Sequence, residues 1–188
     1  MASLNEINTL STQNQLIYNI LKNFYSVNEY ENMDKIISII NGHSEISLRL
    51  IDWFVTNYSK KYFTTYYVEK RRFPVYLEYK LKLKSYKKKR FDPFCRWDRI
   101  NFPYKDDTCV LTTIGQLNFF QWALKNNIID YVGEHKDAIE KDMNSRNNLS
   151  KKNREETNNK TRKKRNELSV SASKSIKKEN VEIVVKFN

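Results

Sequence analysis

The sequence predicts an α+β fold, and three observations lead to this prediction. Apolar residues recur at helical spacing through the first sixty residues. A stretch that begins at Phe73 alternates apolar and polar residues, and a period of two is typical of a half-buried strand. Helical spacing returns after Thr113. We therefore expect a folded domain over residues 1–143, a basic segment over 144–178 that is mostly disordered or a lone solvated helix, and a terminal strand over 179–188.

The first part of the chain is predicted to form a subdomain of three short helices. Residues 12–25 begin with a capping box, in which Thr12 is the expected N-cap, and their apolar side chains recur at helical spacing. A second helix over residues 31–40 is expected to stop at Gly42, because glycine accepts the left-handed conformation that ends many helices. Ser44 is expected to cap the third helix.

A small antiparallel sheet is predicted to follow these helices. Residues 62–68 are β-branched and aromatic, and residues 73–84 place apolar side chains on one face and charged side chains on the other. A turn at residues 70–72 would join the two strands into a hairpin. The alternation in residues 181–187 predicts a last strand, which we expect to dock onto the hairpin sheet.

Residues 113–143 are predicted to form a pair of helices. The first starts at a capping box that begins with Thr113, and Asn126 and Asn127 separate it from the second. This outline resembles a helix-turn-helix, although two ordinary packed helices explain the same pattern. Between the hairpin and this pair, residues 91–108 are expected to form a loop, and a short strand is expected over residues 108–111.

The positive charge of the chain is concentrated in two segments. The formal net charge is +12. Residues 70–90 contain ten basic residues and one acidic residue, and residues 144–188 contain 13 basic and five acidic residues. This segregation favours a polyanionic partner, with DNA or RNA first and an anionic membrane surface second. The alternative is a solvated basic surface that binds nothing acidic and owes part of its lysine to an A/T-rich genome.

The cationic side chains of these segments are the candidate contacts to nucleic acid, because lysine and arginine neutralise phosphates and release counterions. Binding of this kind depends on the phosphate backbone and is weakly selective for sequence. The aromatic residues Phe91, Phe94 and Trp97 lie near these cations, and they either stack on unpaired bases or pack in the core. The candidate contact residues are Lys80, Lys82, Lys84, Lys87, Lys88, Lys89, Arg90, Arg96, Arg99, Arg162, Lys163, Lys164 and Arg165.

The sequence contains none of the common motifs that carry enzyme chemistry. It has no G-x-S-x-G, no P-loop and no dinucleotide fingerprint, and its three glycines are too few to build a phosphate-cradling loop. His43 and His135 do not lie within ligand spacing of either cysteine, so a zinc site is not expected. We therefore expect a protein that is not an enzyme and that needs no cofactor.

Other features of the sequence concern redox state and location. The two cysteines are expected to be free thiols, with Cys95 buried, because one pair does not make a disulfide framework. Asp92 and Asp98 are expected to form ion pairs with arginines of the same segment. No stretch reaches 18 apolar residues, and the first ten residues lack the features of a secretory signal, so neither a membrane span nor export is expected.

Five stretches of the chain carry a resemblance to a known family. They are SLRLIDWFVTNY (47–58), KRFDPFCRWDRI (89–100), TTIGQLNFFQWALKNNIIDY (112–131), RKKRNELSVSASKSI (162–176) and VEIVVKFN (181–188). In these stretches the chain resembles uncharacterised proteins of giant DNA viruses, the mimivirus-like members of the nucleocytoplasmic large DNA viruses. The resemblance supplies no catalytic residue. It implies that the protein acts in the viral factory of the host cytoplasm or in the virion. The nucleus is a further alternative.

These features together predict a non-enzymatic basic viral protein that binds nucleic acid in genome packaging, in the viral factory or in transcription. The alternative is a structural or interaction protein, such as a minor virion component with a viral protein partner. A third interpretation is a subunit of an enzyme whose active site lies on another chain. Retention on DNA that depends on salt would favour the first interpretation, and co-purification with one protein through high salt would favour the second.

Overall fold

The computed structural model describes residues 10–95, 98–105, 108–156 and 177–179. These residues form helices and two small antiparallel sheets, so the predicted α+β fold is confirmed. The helices are α1 (Thr12–Tyr25), α2 (Glu31–Asn41), α3 (Leu48–Trp53), α4 (Val75–Tyr86), α5 (Ile114–Lys125), α6 (Ile128–Glu134) and α7 (Lys136–Glu156). The strands are β1 (Thr65–Val68), β2 (Arg71–Pro74), β3 (Arg99–Pro103), β4 (Cys109–Thr113) and β5 (Lys177–Glu179).

Shorter helical segments connect some of these elements. Helix α3 continues through a π-helical segment (Phe54–Tyr58) into a last α-helical turn (Ser59–Lys61). Two 3₁₀ turns lie at Val27–Tyr30 and Lys88–Arg90. The second of these turns follows α4 directly and carries three of the predicted contact residues.

The three predicted N-terminal helices form, and two of their caps differ from the expected ones. Ser11 rather than Thr12 caps α1, and Ser47 rather than Ser44 caps α3. Both capping serines have an extended backbone, with ψ of 150° and 151°, and each accepts a hydrogen bond from the backbone N–H three residues on. A side-chain N-cap requires this geometry. Gly42 follows α2 in the left-handed conformation, as predicted.

Helix α5 is the centre of the core. Residues 114–123 are all buried, so other elements cover this helix on every side. Helix α1 packs on it where Tyr25 Oη donates a hydrogen bond to the carbonyl of Leu117 at 2.8 Å. Helix α4 packs on it where the rings of Tyr79 and Phe119 meet edge to face, with their centroids 6.5 Å apart. The same central helix therefore holds both α1 and α4 in place.

The strand predicted over residues 73–84 is wrong beyond Pro74. Strands β1 and β2 pair antiparallel, with Val68 opposite Arg71, so the hairpin forms but is shorter than predicted. The chain then continues as helix α4. The residue types explain this outcome, because residues 76–86 contain no β-branched residue and are rich in leucine and lysine, which favour helices.

The alternating apolar residues of this stretch occupy two different sides of α4. Val75 and Tyr79 lie one turn apart and are buried, whereas Leu77 and Leu81 are 59% and 63% exposed. In a strand these four side chains would share one face. In a helix a step of two residues rotates the side chain by about 200°, which separates them.

A second sheet contains the short strand expected over residues 108–111, which is observed as β4 (Cys109–Thr113). Strands β3 and β4 pair antiparallel, with the buried residues Phe102 and Val110 opposite each other, so part of the predicted loop over residues 91–108 is a strand. Strand β5 pairs antiparallel with β4. The described strand β5 thus joins this second sheet. Residues 181–187, where the last strand was predicted, lie outside the described residues.

The helical pair predicted over residues 113–143 is a set of three helices, α5, α6 and α7. Thr113 caps α5, as predicted, and accepts a hydrogen bond from the backbone N–H of Gln116. Helix α7 continues to Glu156 and so extends into the basic segment over 144–178, for which disorder and a solvated helix were the two alternatives. Residues 157–176 of that segment lie outside the described residues.

Candidate nucleic-acid interface

The lysines of α4 lie on two sides of the helix and do not share the single cationic face that was predicted. Lys80 and Lys84 lie one turn apart and are exposed, so they form a ridge on the outer side of the helix. Lys82 is half-buried and lines a cavity together with Trp122 of α5, on the other flank of α4. The three lysines that a strand would align are therefore in two separate places.

A short basic turn follows α4. Lys87 has a φ of 62°, which ends the helix, and the 3₁₀ turn follows at once. Arg90 is half-buried and donates a hydrogen bond from Nε to Asn14 Oδ1 of α1 at 2.6 Å, so this predicted contact residue is used within the fold. The exposed cations of α4 and the turn form what we call the lysine surface, which consists of Lys80, Lys84, Lys87, Lys88 and Lys89.

Ion pairs occupy part of the lysine surface. Lys88 Nζ lies 3.7 Å from Asp92 Oδ2, and Lys89 Nζ lies 2.7 Å from Asp98 Oδ2. The described partners of both aspartates are therefore lysines rather than the arginines expected. In the described part of the chain, no carboxylate lies within ion-pairing distance of the other three lysines of the surface.

The basic turn is held against the start of α5 by buried polar side chains. Asn118 Nδ2 donates to the carbonyl of Arg90 at 2.9 Å, and Gln116 Nε2 donates to the carbonyl of Pro93 at 3.0 Å. Both side chains are more than nine-tenths buried. Because buried hydrogen bonds of this kind restrain the backbone, the chain that carries these lysines is held in place.

The described aromatic residues that follow the basic turn, Phe91 and Phe94, pack in or against the core. Phe91 is fully buried, its ring stacks on Tyr86 with the centroids 6.0 Å apart, and it meets Phe119 of α5 at 5.6 Å. Phe94 is half-buried and packs against the core. Cys95 is buried, as predicted, and its Sγ donates a hydrogen bond to the carbonyl of Lys89 at 3.4 Å. Of the two alternatives for these rings, packing in the core is the one that Phe91 adopts.

One further predicted contact residue, Arg99, lies apart from the elements that form the lysine surface. Arg99 is exposed, but it begins strand β3 and is not part of α4 or the basic turn. Several predicted residues lie outside the described residues: Arg96, Trp97, Arg162, Lys163, Lys164 and Arg165.

Two exposed leucines adjoin the lysine surface, where the sequence pattern predicted buried side chains. Leu77 and Leu81 lie on the outer side of α4, where a groove of about 550 Å³ is lined by both of them together with Lys80, Leu83 and Lys84. A strand prediction placed these leucines in the core. The absence of β-branched residues over this stretch was the signal that could have indicated a helix and hence an exposed apolar side.

A carboxyl group with a raised pKa interacts with the basic turn. Burial raises the pKa of Asp52, on α3, to about 7, and the negative charge of Asp92 adds to this increase. The positive charge of Lys88, which pairs with Asp92, opposes it. A group that titrates near neutral pH is therefore coupled electrostatically to the lysine surface.

The described residues do not assemble a metal site, since no three histidine, cysteine or carboxylate side chains among them are placed to share an ion. None of the helices in this part of the chain combines the length and the apolar character needed to span a membrane. His43 is exposed, and the exposed ring of His135 stacks on Tyr131 with the centroids 4.1 Å apart.

The chain resembles known proteins over most of its length. The model of a family described as a family of unknown function (DUF7197) matches residues 3–188. The chain is 48% identical over 128 residues to the uncharacterized protein L507 of Acanthamoeba polyphaga mimivirus, in an alignment that covers 63% of the chain and 48% of that protein. The chain thus spans about half the length of this relative. The resemblance to uncharacterised giant-virus proteins is confirmed, and no solved structure matches the chain.

Proposed function

We propose that this chain, which belongs to the DUF7197 family of unknown function, binds nucleic acid through the phosphate backbone, with the lysine surface as the contact. One observation carries the proposal: Lys80, Lys84 and Lys87 are exposed and have no carboxylate partner among the described residues. Such ammonium groups can approach phosphates without first giving up an ion pair. Each contact of this kind releases a counterion from the nucleic acid, which favours binding at low salt.

The restrained backbone beneath the lysine surface supports the same proposal. Asn118 already holds the carbonyl of Arg90 in the basic turn, and Gln116 holds that of Pro93 just after it, so binding would restrict this backbone less than it would restrict a flexible tail. Lysine is a compact charge without the planar, bidentate geometry that arginine offers to guanine. We therefore expect weak sequence selectivity, which suits genome packaging, viral-factory organisation or a general role in transcription.

A second candidate function is that of an interaction protein, for example a minor virion component. The exposed side chains of Leu77 and Leu81 favour it, because neither contributes to phosphate binding. A protein partner with acidic and apolar side chains would pair with the lysines and cover the leucines. This candidate uses the same side of α4, so one set of variants can separate the two functions.

The experiment that tests the proposal is a salt series of binding to labelled single-stranded and duplex DNA and RNA. It compares the wild-type chain with two variants that each lose three positive charges. The test variant combines Lys80→Gln, Lys84→Gln and Lys87→Gln. The charge-matched control, at exposed lysines of other elements, combines Lys22→Gln, Lys35→Gln and Lys141→Gln.

We expect the test variant to bind about 10-fold or more weakly at low salt, and its slope of log affinity against log salt to fall by about two to three. The control variant should keep most of its affinity and slope. Equal losses in both variants would show that net charge alone drives binding. If the wild-type chain does not bind any of the four polymers at about 50 mM salt, the proposal is wrong. One protein retained through high salt, and lost with Leu81→Gln, would then favour the interaction role.

A further inference from the structure

A cavity of about 310 Å³ lies on the flank of α4 opposite the exposed lysines. Its walls come from α1, β2, α4 and α5 and from the segments that follow α4 and α5. This volume is near the lower end of the roughly 300–1,000 Å³ of typical ligand pockets. The occupant that fits is therefore a small molecule, or one unit of a longer chain.

The wall of the cavity carries a net positive charge. Its lining residues include Arg71, Lys82 and Lys125, from three different elements, and one carboxylate, Glu78. Glu78 Oε1 lies 3.3 Å from Arg71 Nη1, so these two charges neutralise each other. In the described part of the chain, neither of the two remaining cations has a carboxylate within ion-pairing distance. An anion in this cavity would therefore meet two cations that are not neutralised by the wall.

Two buried hydrogen-bond donors in the wall have no acceptor among the described residues. Gln121 and Trp122 are 8% and 6% exposed, and neither Gln121 Nε2 nor Trp122 Nε1 makes a hydrogen bond there. Native structures rarely leave buried polar groups without a partner, and such groups call for an explanation. An acceptor-rich group that enters the cavity would supply the missing acceptors.

We propose that this cavity binds a phosphate group, carried by a free nucleotide or by the end of a nucleic-acid strand. A phosphate has the negative charge that Lys82 and Lys125 attract. It also has several acceptor oxygens that can take hydrogen bonds from Gln121 and Trp122, after small movements of these buried side chains. The site is separate from the lysine surface, so it does not depend on the function proposed above.

The indole N–H of Trp122 is a direct reporter of this binding. A new hydrogen bond to Nε1 shifts its NMR signal, whereas Trp53, whose indole N–H already donates to Asp142 at 3.1 Å, is an internal control. A Trp122→Phe variant assigns the signal. The probes are inorganic phosphate, AMP and a short single-stranded oligonucleotide with or without a 5′-phosphate, each added to the isotope-labelled full chain.

Affinities from the same titrations compare two double variants with equal charge. The test variant is Lys82→Gln with Lys125→Gln, and the control is Lys22→Gln with Lys141→Gln, at exposed lysines of α1 and α7 that do not line the cavity. All four side chains are at least partly exposed, so both variants should fold, and circular dichroism checks this. We expect the test variant to lose about 10-fold or more in affinity for AMP and the control to stay within about 2-fold of wild type.

The Trp122 signal should move with the phosphate-bearing probes and stay in place with the unphosphorylated oligonucleotide. Stronger binding of AMP than of the phosphorylated oligonucleotide would identify a free nucleotide as the ligand, and the reverse order would identify a strand end. The absence of any shift at millimolar probe, or an equal loss of affinity in both double variants, would overturn the proposal.

Discussion

Trp53 Nε1 donates a hydrogen bond to Asp142 Oδ2 at 3.1 Å, and this contact joins α3 to α7 across 89 residues of sequence. The same carboxylate accepts hydrogen bonds from Lys61 Nζ at 2.5 Å and from Tyr62 Oη at 3.3 Å. Asp142 is itself 8% exposed, so its charge is stabilised mainly by these three donors. Helix α7 is thereby fastened to the helical segment that ends at Lys61.

Replacing this carboxylate is expected to loosen α7. Asp142→Ala should lower the free energy of unfolding at pH 7 by about 1–3 kcal/mol, because it leaves the Trp53 indole N–H without its acceptor. Urea unfolding measures the change. Lys141→Ala, at the exposed neighbouring position, is the control and should change stability by less than about 0.5 kcal/mol. Similar losses in the two variants would contradict this role of Asp142.

The stabilisation by Asp142 should also depend on pH. Burial raises the pKa of Asp142, but hydrogen bonds from Lys61 and Trp53 outweigh that effect and lower the pKa overall. A lowered pKa in the folded state gives stability that is present above the unfolded value, near 4, and is lost as the pH falls through the folded value. The difference between wild type and Asp142→Ala should therefore shrink in acid, and unfolding at pH 7 and pH 3 tests this.

Asp52 should act in the opposite direction. Its pKa in the folded state is about 7, above the unfolded value near 4, so the native state holds the proton more tightly. The stability from this group is fully present below about pH 4 and is lost as the pH rises through 7. Asp52→Asn should thus match wild type at pH 4 and exceed its free energy of unfolding by about 1–4 kcal/mol at pH 8. Parallel pH profiles for the two proteins would refute this.

The helical geometry of α4 predicts unequal roles for two neighbouring lysines. Lys84 lies on the lysine surface, whereas Lys82 lies on the cavity flank. Lys84→Gln should reduce the salt slope of duplex binding by about one, and Lys82→Gln should leave it nearly unchanged. Fluorescence anisotropy over a salt series measures both slopes. Equal slopes would mean that the bound duplex reaches both flanks of the helix.

The same geometry predicts which apolar residues of α4 stabilise the fold. Tyr79→Ala should lower the free energy of unfolding by about 3–5 kcal/mol, because its ring packs among Phe91, Phe119 and Trp122. Leu81→Gln should change it by less than about 0.5 kcal/mol, since this leucine is 63% exposed. Thermal and urea unfolding check both values. A large loss in Leu81→Gln would indicate that this leucine is covered in solution.

Gly115 permits the close approach of the basic turn to α5. A Cβ atom at this position would lie 2.8 Å from the carbonyl oxygen of Lys89 and 3.1 Å from Cys95 Cβ. Gly115→Ala should therefore destabilise the protein by about 1–3 kcal/mol. Gly133→Ala is the matched control: its Cβ would meet the flexible end of Ile46 at 3.3 Å, and alanine favours the helix, so stability should stay equal or rise slightly. Equal effects in the two variants would argue against the tight contact.

The parts of the fold that were predicted well are those where several local signals agree. The helix expected over residues 12–25 is observed over the same range, because its apolar residues recur at helical spacing, although Ser11 and not Thr12 caps it. Gly42 ends α2 and Thr113 begins α5 for the same kind of local reason. The β1–β2 hairpin was also predictable, although its second strand is four residues long.

The predictions failed where two periodicities fit one stretch. Val75 and Tyr79 are four residues apart, which suits a helix. Leu77 and Leu81 extend the same series to apolar side chains at every second residue, which suits a strand. Local pattern alone favoured the strand. Helix propensity of leucine and lysine, together with the packing of Tyr79 on α5, decided for the helix.

By itself the sequence determined the α+β class, the positions of the N-terminal helices and the concentration of positive charge in residues 70–90. These properties depend on composition and on neighbours a few residues apart. Only the tertiary structure decided that Lys82 lines a cavity together with Trp122, and that Arg90 donates a hydrogen bond to Asn14 instead of lying free at the surface. Such outcomes depend on contacts between residues far apart in the chain, and local spacing carries no information about them.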